Sequence, residues 1–345
     1  MPDSTFSPPA KSASALERQL AVQRARRPAD PLLSLVVPVF NEAESIGLFL
    51  DAVEPCLDGA GLRFEIVFVN DGSRDGTLAQ LLDRSARDRR IKVVNLSRNF
   101  GKEAALTAGI DHARGDMLIP MDIDLQDPPG LFKPFIERWR EGYDIVYGVR
   151  STRDADTAAK RVSASWFYWA FNSMSPVRIP ANVGDFRLVD RRAVEVLRRL
   201  PERNRFMKGL FAWVGFNAVG VPYARPARAA GASKFNLWRL WNFALDGVVS
   251  FSTVPLRASF YGGVAIAIVA VLYALFILGR VLLFGIDTPG YASLLVVVLL
   301  MGAIQLVSIG IIGEYLGRLF LEVKGRPIYV VEGVYEEGEA RPPNS

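Results

Sequence analysis

The sequence predicts an α/β domain built on a mainly parallel, doubly wound sheet, followed by a pair of membrane-spanning helices. Apolar, β-branched runs such as LLSLVVPVF (residues 32–40) and FEIVFVN (64–70) are typical of strands buried on both faces. They alternate with helical stretches such as residues 44–56 and 102–113, and this alternation indicates parallel strands joined by crossover helices. Two long apolar runs near the C-terminus are each long enough to cross a hydrocarbon core of about 30 Å.

The composition narrows the possible partners. Half of the 345 residues are hydrophobic, yet 22% are charged, which is typical of a folded domain joined to a more apolar segment. The single cysteine, Cys56, excludes an intrachain disulfide and fits a reducing compartment. The net charge of +5 is compatible with anionic lipid, phosphorylated substrates or nucleic acid. No basic stripe interleaved with aromatic residues occurs in the α/β domain, so we expect no nucleic-acid partner.

The first three segments follow from composition. Residues 1–30 are rich in Ser, Ala, Pro and Arg, and we expect a disordered arm there, with at most a short helix over residues 13–26. Residues 31–221 carry the α/β domain. Residues 222–258 place Trp, Phe, Arg and Lys at helical spacing, which indicates amphipathic helices in the membrane interface. A helix packed on the domain is the alternative for that segment.

The C-terminal part predicts a helical hairpin. Residues 259–320 contain the two apolar runs, joined only by GIDTPG, and residues 321–345 form a tail that could return a short strand to the domain. Basic residues flank the two runs but are absent from the connecting turn, and they are Arg257, Arg318, Lys324 and Arg326. By the positive-inside rule, both ends and the whole α/β domain are expected in the cytoplasm.

Acidic and amide side chains follow a buried strand in IPMDIDLQDPP (residues 119–129). Side chains alternate along a strand, so Asp122, Asp124 and Gln126 would share one face if the extended conformation persists. Three oxygen-bearing groups at the ligand-binding edge of a parallel sheet suit Mg²⁺ or Mn²⁺, which proteins hold through one or two carboxylates and substrate phosphates. A solvated acidic loop is the alternative.

Two further strand ends carry polar residues. Asp71 and a Gly-containing turn end the second strand in VNDGSRDGT, where a carboxylate can accept hydrogen bonds from a ribose or a base. Asp71 and Ser73 could equally be ordinary turn formers. Gly101 and Lys102 in NFGK open a helix and could either meet a phosphate or only cap the helix. No dinucleotide fingerprint or P-loop follows any strand, which argues against an oxidoreductase or a P-loop nucleotidase.

These motifs carry a family resemblance. Eight segments stand in the order found in family 2 glycosyltransferases of the polyprenyl-phosphate type: SLVVPVFNE, VNDGSRDGT, LSRNFGKEAALTAGIDHARGD, MDIDLQDPP, GVRSTRDADTAAKR, GDFRLVDR, RNRFMKGLFAWVG and GASKFNLWRL. The sequence resembles dolichol-phosphate mannose synthases and, more closely, bactoprenol glucosyltransferases with two C-terminal transmembrane helices. The resemblance covers the chain from about residue 33 to the C-terminus.

The resemblance implies a GT-A fold and transfer of a sugar from a nucleotide donor to a polyprenyl phosphate, with inversion at the sugar carbon. It places a divalent metal, Mg²⁺ or Mn²⁺, on Asp122 and Asp124, with Gln126 assisting. The residues it assigns to the nucleotide pocket are Pro38, Asn41, Glu42, Asp71 and Asp122. Those it assigns to phosphate or acceptor binding at the membrane face are Arg150, Arg205, Ser233 and Lys234. Asp124 and Asp185 are the catalytic pair; Asp185 acts as a base or positions the substrates.

The implied partners are a nucleotide sugar, a polyprenyl phosphate lipid such as undecaprenyl phosphate, and the bacterial inner membrane. The resemblance also implies a homo-oligomer, for which a tetramer is one option. UDP-glucose is the favoured donor, with mannose, galactose and N-acetylhexosamine donors as alternatives. A processive polysaccharide synthase is disfavoured because the Gln-x-x-Arg-Trp motif of those enzymes is absent. A non-catalytic membrane scaffold stays open, although Asp122, Asp124 and Asp185 are intact.

Overall fold

The computed structural model describes residues 13–150, 183–203, 205–223, 252–284, 290–337 and 339–341. The chain divides into two compact units. The first comprises Met1–Trp169, Val177–Asn236 and Pro327–Ser345, and the second comprises Ala170–Pro176 and Leu237–Arg326. The first unit is thus interrupted in sequence by the second.

The first unit is organised around one mixed sheet. In the described ranges its strands follow the spatial order β7-β5-β6-β4-β1-β2-β3-β8-β9. Their bounds are β1 Leu32–Val39, β2 Arg63–Asn70, β3 Ile91–Leu96, β4 Met117–Pro120, β5 Ile145–Arg150, β6 Val183–Asp190, β7 Ala218–Tyr223, β8 Val331–Glu336 and β9 Glu339–Arg341.

The centre of this sheet is parallel. β1 lies between β2 and β4 and runs parallel to both, and β2 pairs in parallel with β3. β6 joins β4 and β5 in antiparallel fashion, and β8 adds to β3 in the same way. β1 and β3 are buried almost along their whole length, as their continuous apolar runs predict. The predicted mainly parallel, Rossmann-like sheet is confirmed.

Helices cover this sheet and fix the direction of the crossovers. The helices of the first unit are α1 Ala13–Arg26, α2 Ser45–Asp58, α3 Thr77–Arg87, α4 Lys102–His112, α5 Phe132–Arg140, α6 Arg191–Arg199 and α7 Met207–Trp213. α4 is buried from Ala104 to Ile110 and packs against β1 and β2. Because the body of α4 is buried and apolar, its charged first turn is held rigidly at the end of the sheet.

Part of the expected disordered arm is ordered in the structure. α1 occupies the range in which the sequence allowed a short helix, and the side chain of Arg27 directly after it is only 9% exposed. The Arg27 guanidinium lies 4.2 Å from the ring centre of Trp139 and forms ion pairs with Asp144 and Asp190. Buried carboxylates such as Asp144 and Asp190 require a cationic partner. Arg27 is that partner and attaches the arm to the sheet, which the composition of the arm does not predict.

The C-terminal tail returns to the first unit, as its sequence suggested. β8 pairs with the outer edge of β3, and two polar contacts secure it there. The buried Lys92 ammonium lies 2.7 Å from Glu336, and the Asn95 side chain donates to Glu332 at 2.8 Å. The tail therefore covers a strand edge that would otherwise present unpaired backbone groups.

The second unit contains two long helices, α8 Val254–Phe284 and α9 Tyr291–Lys324. They enclose the apolar runs that the sequence predicted, and both are long and apolar enough to cross a membrane. Large apolar side chains on both helices are exposed, for example Leu283 on α8 and Leu306 on α9. Length, composition and exposure agree with the predicted hairpin. Residues 224–251 of the predicted interfacial segment lie outside the described residues, and its last five residues belong to α8.

Candidate active site

The candidate site lies at the carboxyl ends of the parallel strands, where ligands bind in open α/β sheets. The loops after β1, β2 and β4 meet there, together with the N-terminus of α4 and the start of β6. A small pocket at this edge is lined by residues of β1, α4, the end of β4 with the loop after it, and β6, namely Pro38, Lys102, Leu106, Pro120, Met121, Asp122, Asp127, Asp185 and Phe186. Strand direction thus brings together residues that are far apart in sequence.

A lysine joins two of the predicted acidic residues. The Lys102 ammonium lies 2.6 Å and 2.7 Å from the two carboxylate oxygens of Asp122, and 3.5 Å from Asp185 Oδ2. We refer to Lys102, Asp122 and Asp185 as the carboxylate–lysine cluster. Burial alone would lower the pKa of Lys102, but the two carboxylates raise it well above its usual range, so the lysine stays charged.

Asp185 is held in its ionised form. Burial would raise the pKa of its carboxyl, but Lys208, Lys102 and Arg187 outweigh burial and keep the pKa below its usual value. A carboxylate with a lowered pKa is a weak general base near neutral pH. The electrostatics therefore favour a positioning role for Asp185 over proton abstraction.

The predicted alternation of Asp122, Asp124 and Gln126 along one strand face is wrong. β4 ends at Pro120, and Leu125 adopts a left-handed conformation with φ of 54°, which breaks the extended chain. The Asp124 carboxylate accepts a hydrogen bond from the Gln126 backbone N–H at 3.2 Å, as in a turn, and Gln126 is buried. The acidic stretch is a compact turn because repeated carboxylates and two prolines do not support a strand.

The oxygen donors of this turn nevertheless fit a hard divalent cation. The Asp122 side chain is 40% exposed at the pocket, and Asp124 stands two residues further in the same turn. Two carboxylates with space for substrate phosphates are a typical Mg²⁺ or Mn²⁺ arrangement. The Gln126 residue is buried, and no group of three or more His, Cys, Asp or Glu ligands occurs within the described ranges.

Asp71 has a structural task at the same edge. Its buried carboxylate accepts hydrogen bonds from the backbone N–H groups of Phe100 and Gly101, at 2.7 Å and 2.9 Å. Burial raises the pKa of Asp71, while the two hydrogen bonds oppose that change. Asp71 thereby fixes the loop that leads into α4, and so it fixes the position of Lys102.

The loops after β1 and β2 are tied together through Asn41. Its backbone N–H donates to Ser73 Oγ at 2.9 Å, and its side-chain oxygen accepts from the Arg74 N–H at 2.8 Å. Asn41 has a φ of 54°, a conformation that asparagine tolerates better than most residues. Glu42 accepts a hydrogen bond from Ser45 Oγ at 2.6 Å, in the first turn of α2. These predicted pocket residues hold the loops of the site in place.

Gly72 allows the loops after β2 and β3 to touch. It has a φ of 66°, and a Cβ at this position would lie 2.4 Å from the carbonyl carbon of Arg98. Both the conformation and the space therefore require glycine. A larger residue here would push the loops after β2 and β3 apart.

Glu103 is a site residue that the sequence reasoning missed. It accepts a hydrogen bond from the backbone N–H of Met207, the first residue of α7, and it lies close to Asp185 and Lys208. Burial, and then the charge of Asp185, raise its pKa to about 7. The available signal was a Lys-Glu pair at the start of an otherwise apolar helix, since only the end of such a helix can face a polar site.

Arg205, a predicted phosphate ligand, makes two hydrogen bonds within its own loop. Its side chain is buried and donates to the backbone oxygens of Leu200 and Glu202, at 2.9 Å and 3.2 Å. Arg205 thereby satisfies two carbonyl groups of the segment between α6 and α7. Arg150 ends β5, where only its backbone is described, and Ser233 and Lys234 lie outside the described residues.

Comparison with known proteins supports these observations. Residues 34–198 match the family model of glycosyl transferase family 2. An uncharacterized glycosyltransferase of Synechocystis is 49% identical over 88% of this chain and 95% of its own length. The SfII prophage-derived bactoprenol glucosyl transferase of Shigella flexneri is 48% identical over 87% of this chain and 97% of its own. A prophage bactoprenol glucosyl transferase homolog of Escherichia coli is 47% identical over 88% and 99%.

Proposed function

Because the chain belongs to glycosyl transferase family 2, we propose that it transfers a sugar from a nucleotide donor to a polyprenyl phosphate at the cytoplasmic face of a bacterial inner membrane. The observation that carries this proposal is the 48% identity to a bactoprenol glucosyl transferase over 300 residues, which span 97% of that protein. The carboxylate–lysine cluster at the ligand-binding edge of the sheet supplies the charged groups that such a transfer needs.

The sheet supports a membrane hairpin. β3 and β8 pair in one sheet, although α8 and α9 separate them in sequence. Paired strands lie on the same side of a membrane, so the chain between them crosses it an even number of times. Two crossings, one by each apolar helix, satisfy this requirement, and the flanking basic residues favour the cytoplasm for the sheet. A polyprenyl chain stays in the bilayer, so its phosphate meets the enzyme at the headgroup level.

Glucose from UDP-glucose is the donor sugar that we propose, because the named relatives are glucosyl transferases. The nucleotide would bind beyond β1 and β2, between the loops that Asn41 and Asp71 hold. Pro38 lines the adjoining pocket. Galactose, mannose and N-acetylhexosamine donors are the competing assignments, and the donor panel below distinguishes them.

The breaking glycosidic bond leaves negative charge on a nucleoside diphosphate, and the site is built to stabilise that charge. Asp122 and Asp124 would hold Mg²⁺ or Mn²⁺, which supplies Lewis-acid stabilisation of the leaving diphosphate. Lys102 contributes a further positive charge to the same site. Preorganised charges of this kind lower the barrier without reorganisation during the reaction.

The acceptor needs little help from a base. A phosphate monoester has a second pKa of about 6, so its oxygen is already largely deprotonated at neutral pH. Asp185, whose pKa is held low by Lys208, Lys102 and Arg187, therefore orients the donor sugar or the acceptor by charge and hydrogen bonding. Direct attack by the phosphate oxygen inverts the sugar carbon. Ser233, Lys234 and Arg150 are proposed to hold the acceptor phosphate at the membrane, and the enzyme is proposed to assemble as a homo-oligomer.

The proposal is tested with membranes from cells that express the full chain. Radiolabelled UDP-glucose, UDP-galactose, UDP-N-acetylglucosamine and GDP-mannose are each supplied with undecaprenyl phosphate and Mg²⁺ or Mn²⁺. We expect label from UDP-glucose to enter the organic phase, and EDTA and the Asp124→Ala variant to abolish this transfer. Asp83→Ala, which removes an exposed carboxylate on α3, is the matched control and should retain it.

Three other outcomes are informative. Label from a different donor would change the sugar and keep the reaction. Transfer that persists in EDTA and in Asp124→Ala would exclude the proposed metal site. A folded protein that binds nucleotide but transfers no label from any donor would contradict the enzyme assignment and favour the scaffold.

A further inference from the structure

We propose that Lys102 competes directly with the divalent cation for Asp122, so that the metal is admitted together with the nucleotide diphosphate rather than before it. This proposal rests on the proposed function above and assigns a role to a residue outside its metal ligands. The observation behind it is that Lys102 engages both oxygens of Asp122, at 2.6 Å and 2.7 Å, and not only one of them.

The Lys102 ammonium and the divalent metal would bind the same carboxylate oxygens of Asp122. Mg²⁺ and Mn²⁺ bind carboxylate oxygens at about 2.0–2.2 Å, on the lone pairs that the Lys102 ammonium uses. A metal on Asp122 also places two positive centres within a few ångströms of each other, which is unfavourable. The metal can therefore take its full place only if Lys102 moves away from at least one oxygen of Asp122.

The position of Lys102 provides two alternative partners for the displaced ammonium. Asp185 Oδ2 is 3.5 Å from Nζ, so Lys102 already reaches across to the other carboxylate of the cluster. The diphosphate of a donor nucleotide would bring further negative oxygens to the same pocket, which Lys102 and Asp122 both line. A free metal ion brings no such partner. The site therefore discriminates between a metal that arrives alone and a metal that arrives with a diphosphate.

The fold prevents Lys102 from simply leaving the site. It is the first residue of α4, whose body is buried, and the preceding loop is held by the two hydrogen bonds to Asp71. The ammonium can move between partners only by rotating its own side chain. Lys102 thus stays in the cluster when it exchanges Asp122 for another anion.

The test is a measurement of Mn²⁺ affinity on the purified full chain in detergent, by electron paramagnetic resonance of free Mn²⁺, with and without UDP. In the wild type we expect weak Mn²⁺ binding alone and much tighter binding with UDP. Lys102→Gln should bind Mn²⁺ alone about fivefold more tightly, since a partly exposed ion pair of this type is worth up to roughly 1 kcal/mol. The gain from UDP should shrink by the same factor, because coupling between two ligands is reciprocal.

Two variants make the result specific. Lys102→Arg retains the positive charge and should preserve weak Mn²⁺ binding and the UDP effect. Lys208→Gln removes a positive charge that acts on Asp185, while no contact joins Lys208 to Asp122 among the described residues. It should change Mn²⁺ affinity clearly less than Lys102→Gln does. Melting temperatures show whether each variant is folded, and a misfolded Lys102→Gln is replaced by Lys102→Met.

The outcomes separate this proposal from the proposed function. Equal Mn²⁺ affinity in the wild type and Lys102→Gln, or equal changes in Lys102→Gln and Lys208→Gln, would overturn competition at Asp122 even if sugar transfer is observed. If the wild type binds neither Mn²⁺ nor UDP and transfers no label, the proposed function fails, and the role of Lys102 fails with it.

Discussion

The most direct perturbation of the site is Asp71→Asn, which keeps the size of the side chain and removes its charge. The carboxylate accepts two backbone hydrogen bonds, from Phe100 at 2.7 Å and from Gly101 at 2.9 Å. An amide can offer its oxygen to only one of these N–H groups and turns its own NH₂ donor towards the other. The substitution therefore leaves one backbone N–H without an acceptor, next to the first residue of α4.

The expected cost can be worked from these contacts. A hydrogen bond to a charged group contributes about 1.5–3 kcal/mol. Burial disfavours the charged carboxylate of Asp71 and raises its pKa. Removing the charge therefore offsets part of the lost hydrogen-bond energy. A net loss of about 1–2 kcal/mol is expected, which corresponds to roughly 3–6 °C in the melting temperature of a domain of this size.

The assay is thermal unfolding of the full chain in detergent, followed by tryptophan fluorescence, with and without UDP. We expect Asp71→Asn to lower the melting temperature in the absence of nucleotide and to weaken UDP binding as well, because the loop carries Lys102. A melting temperature equal to that of the wild type, combined with lost UDP binding, would refute the role of Asp71 in holding the loop before α4. Asp71 would then be a nucleotide ligand only.

Two further predictions concern the same edge of the sheet. The folded pKa of Glu103, about 7, lies above its ordinary value of 4.5, so the stability it contributes is complete below about pH 4.5 and is lost as pH rises through about 7. Raising the pH from 6 to 8 should lower the wild-type melting temperature by about 2–4 °C more than that of Glu103→Gln, and equal pH dependence would contradict this. Gly72→Ala should lower the melting temperature and UDP affinity together, because its Cβ would meet the Arg98 backbone at 2.4 Å; crystals of a Gly72→Ala variant with an unmoved β3 loop would show the reasoning to be wrong.

Much of the fold could be predicted because burial on both faces leaves a simple pattern. The apolar runs of β1, β2 and β3 have few alternatives as buried strands, and the lengths of α8 and α9 have few alternatives as spans. The attachment of the arm through Arg27 could not be predicted in this way. It depends on buried carboxylates, Asp144 and Asp190, that are more than a hundred residues away in sequence.

The candidate site was predicted by residue type better than by geometry. Asp122 and Asp185 do meet at one edge, but through Lys102, which the sequence left open between a helix cap and a phosphate ligand. The turn at Leu125 could not be foreseen, since a left-handed leucine has no signature in the chain. The hydrogen bonds of Arg205 to the carbonyl groups of its own loop could not be foreseen either, because that loop has no periodic pattern in the sequence.

The pairing of β8 with β3 has a consequence for biosynthesis. The outer edge of β3 receives its partner strand, and the buried Lys92 receives its carboxylate partner Glu336, only when residues 331–336 have left the ribosome, after both apolar helices. The sheet is therefore completed last. On the proposed topology, its completion requires the tail to return to the side of the membrane on which the other strands lie. On the proposed membrane topology, a chain whose helices insert with the wrong number of crossings keeps an open strand edge, and Lys92 lacks Glu336 and retains only its hydrogen bond to the His112 carbonyl. On that topology, incorrect insertion leaves the edge of β3 open in the first unit. Proteases and chaperones can recognise such an incompletely folded sheet.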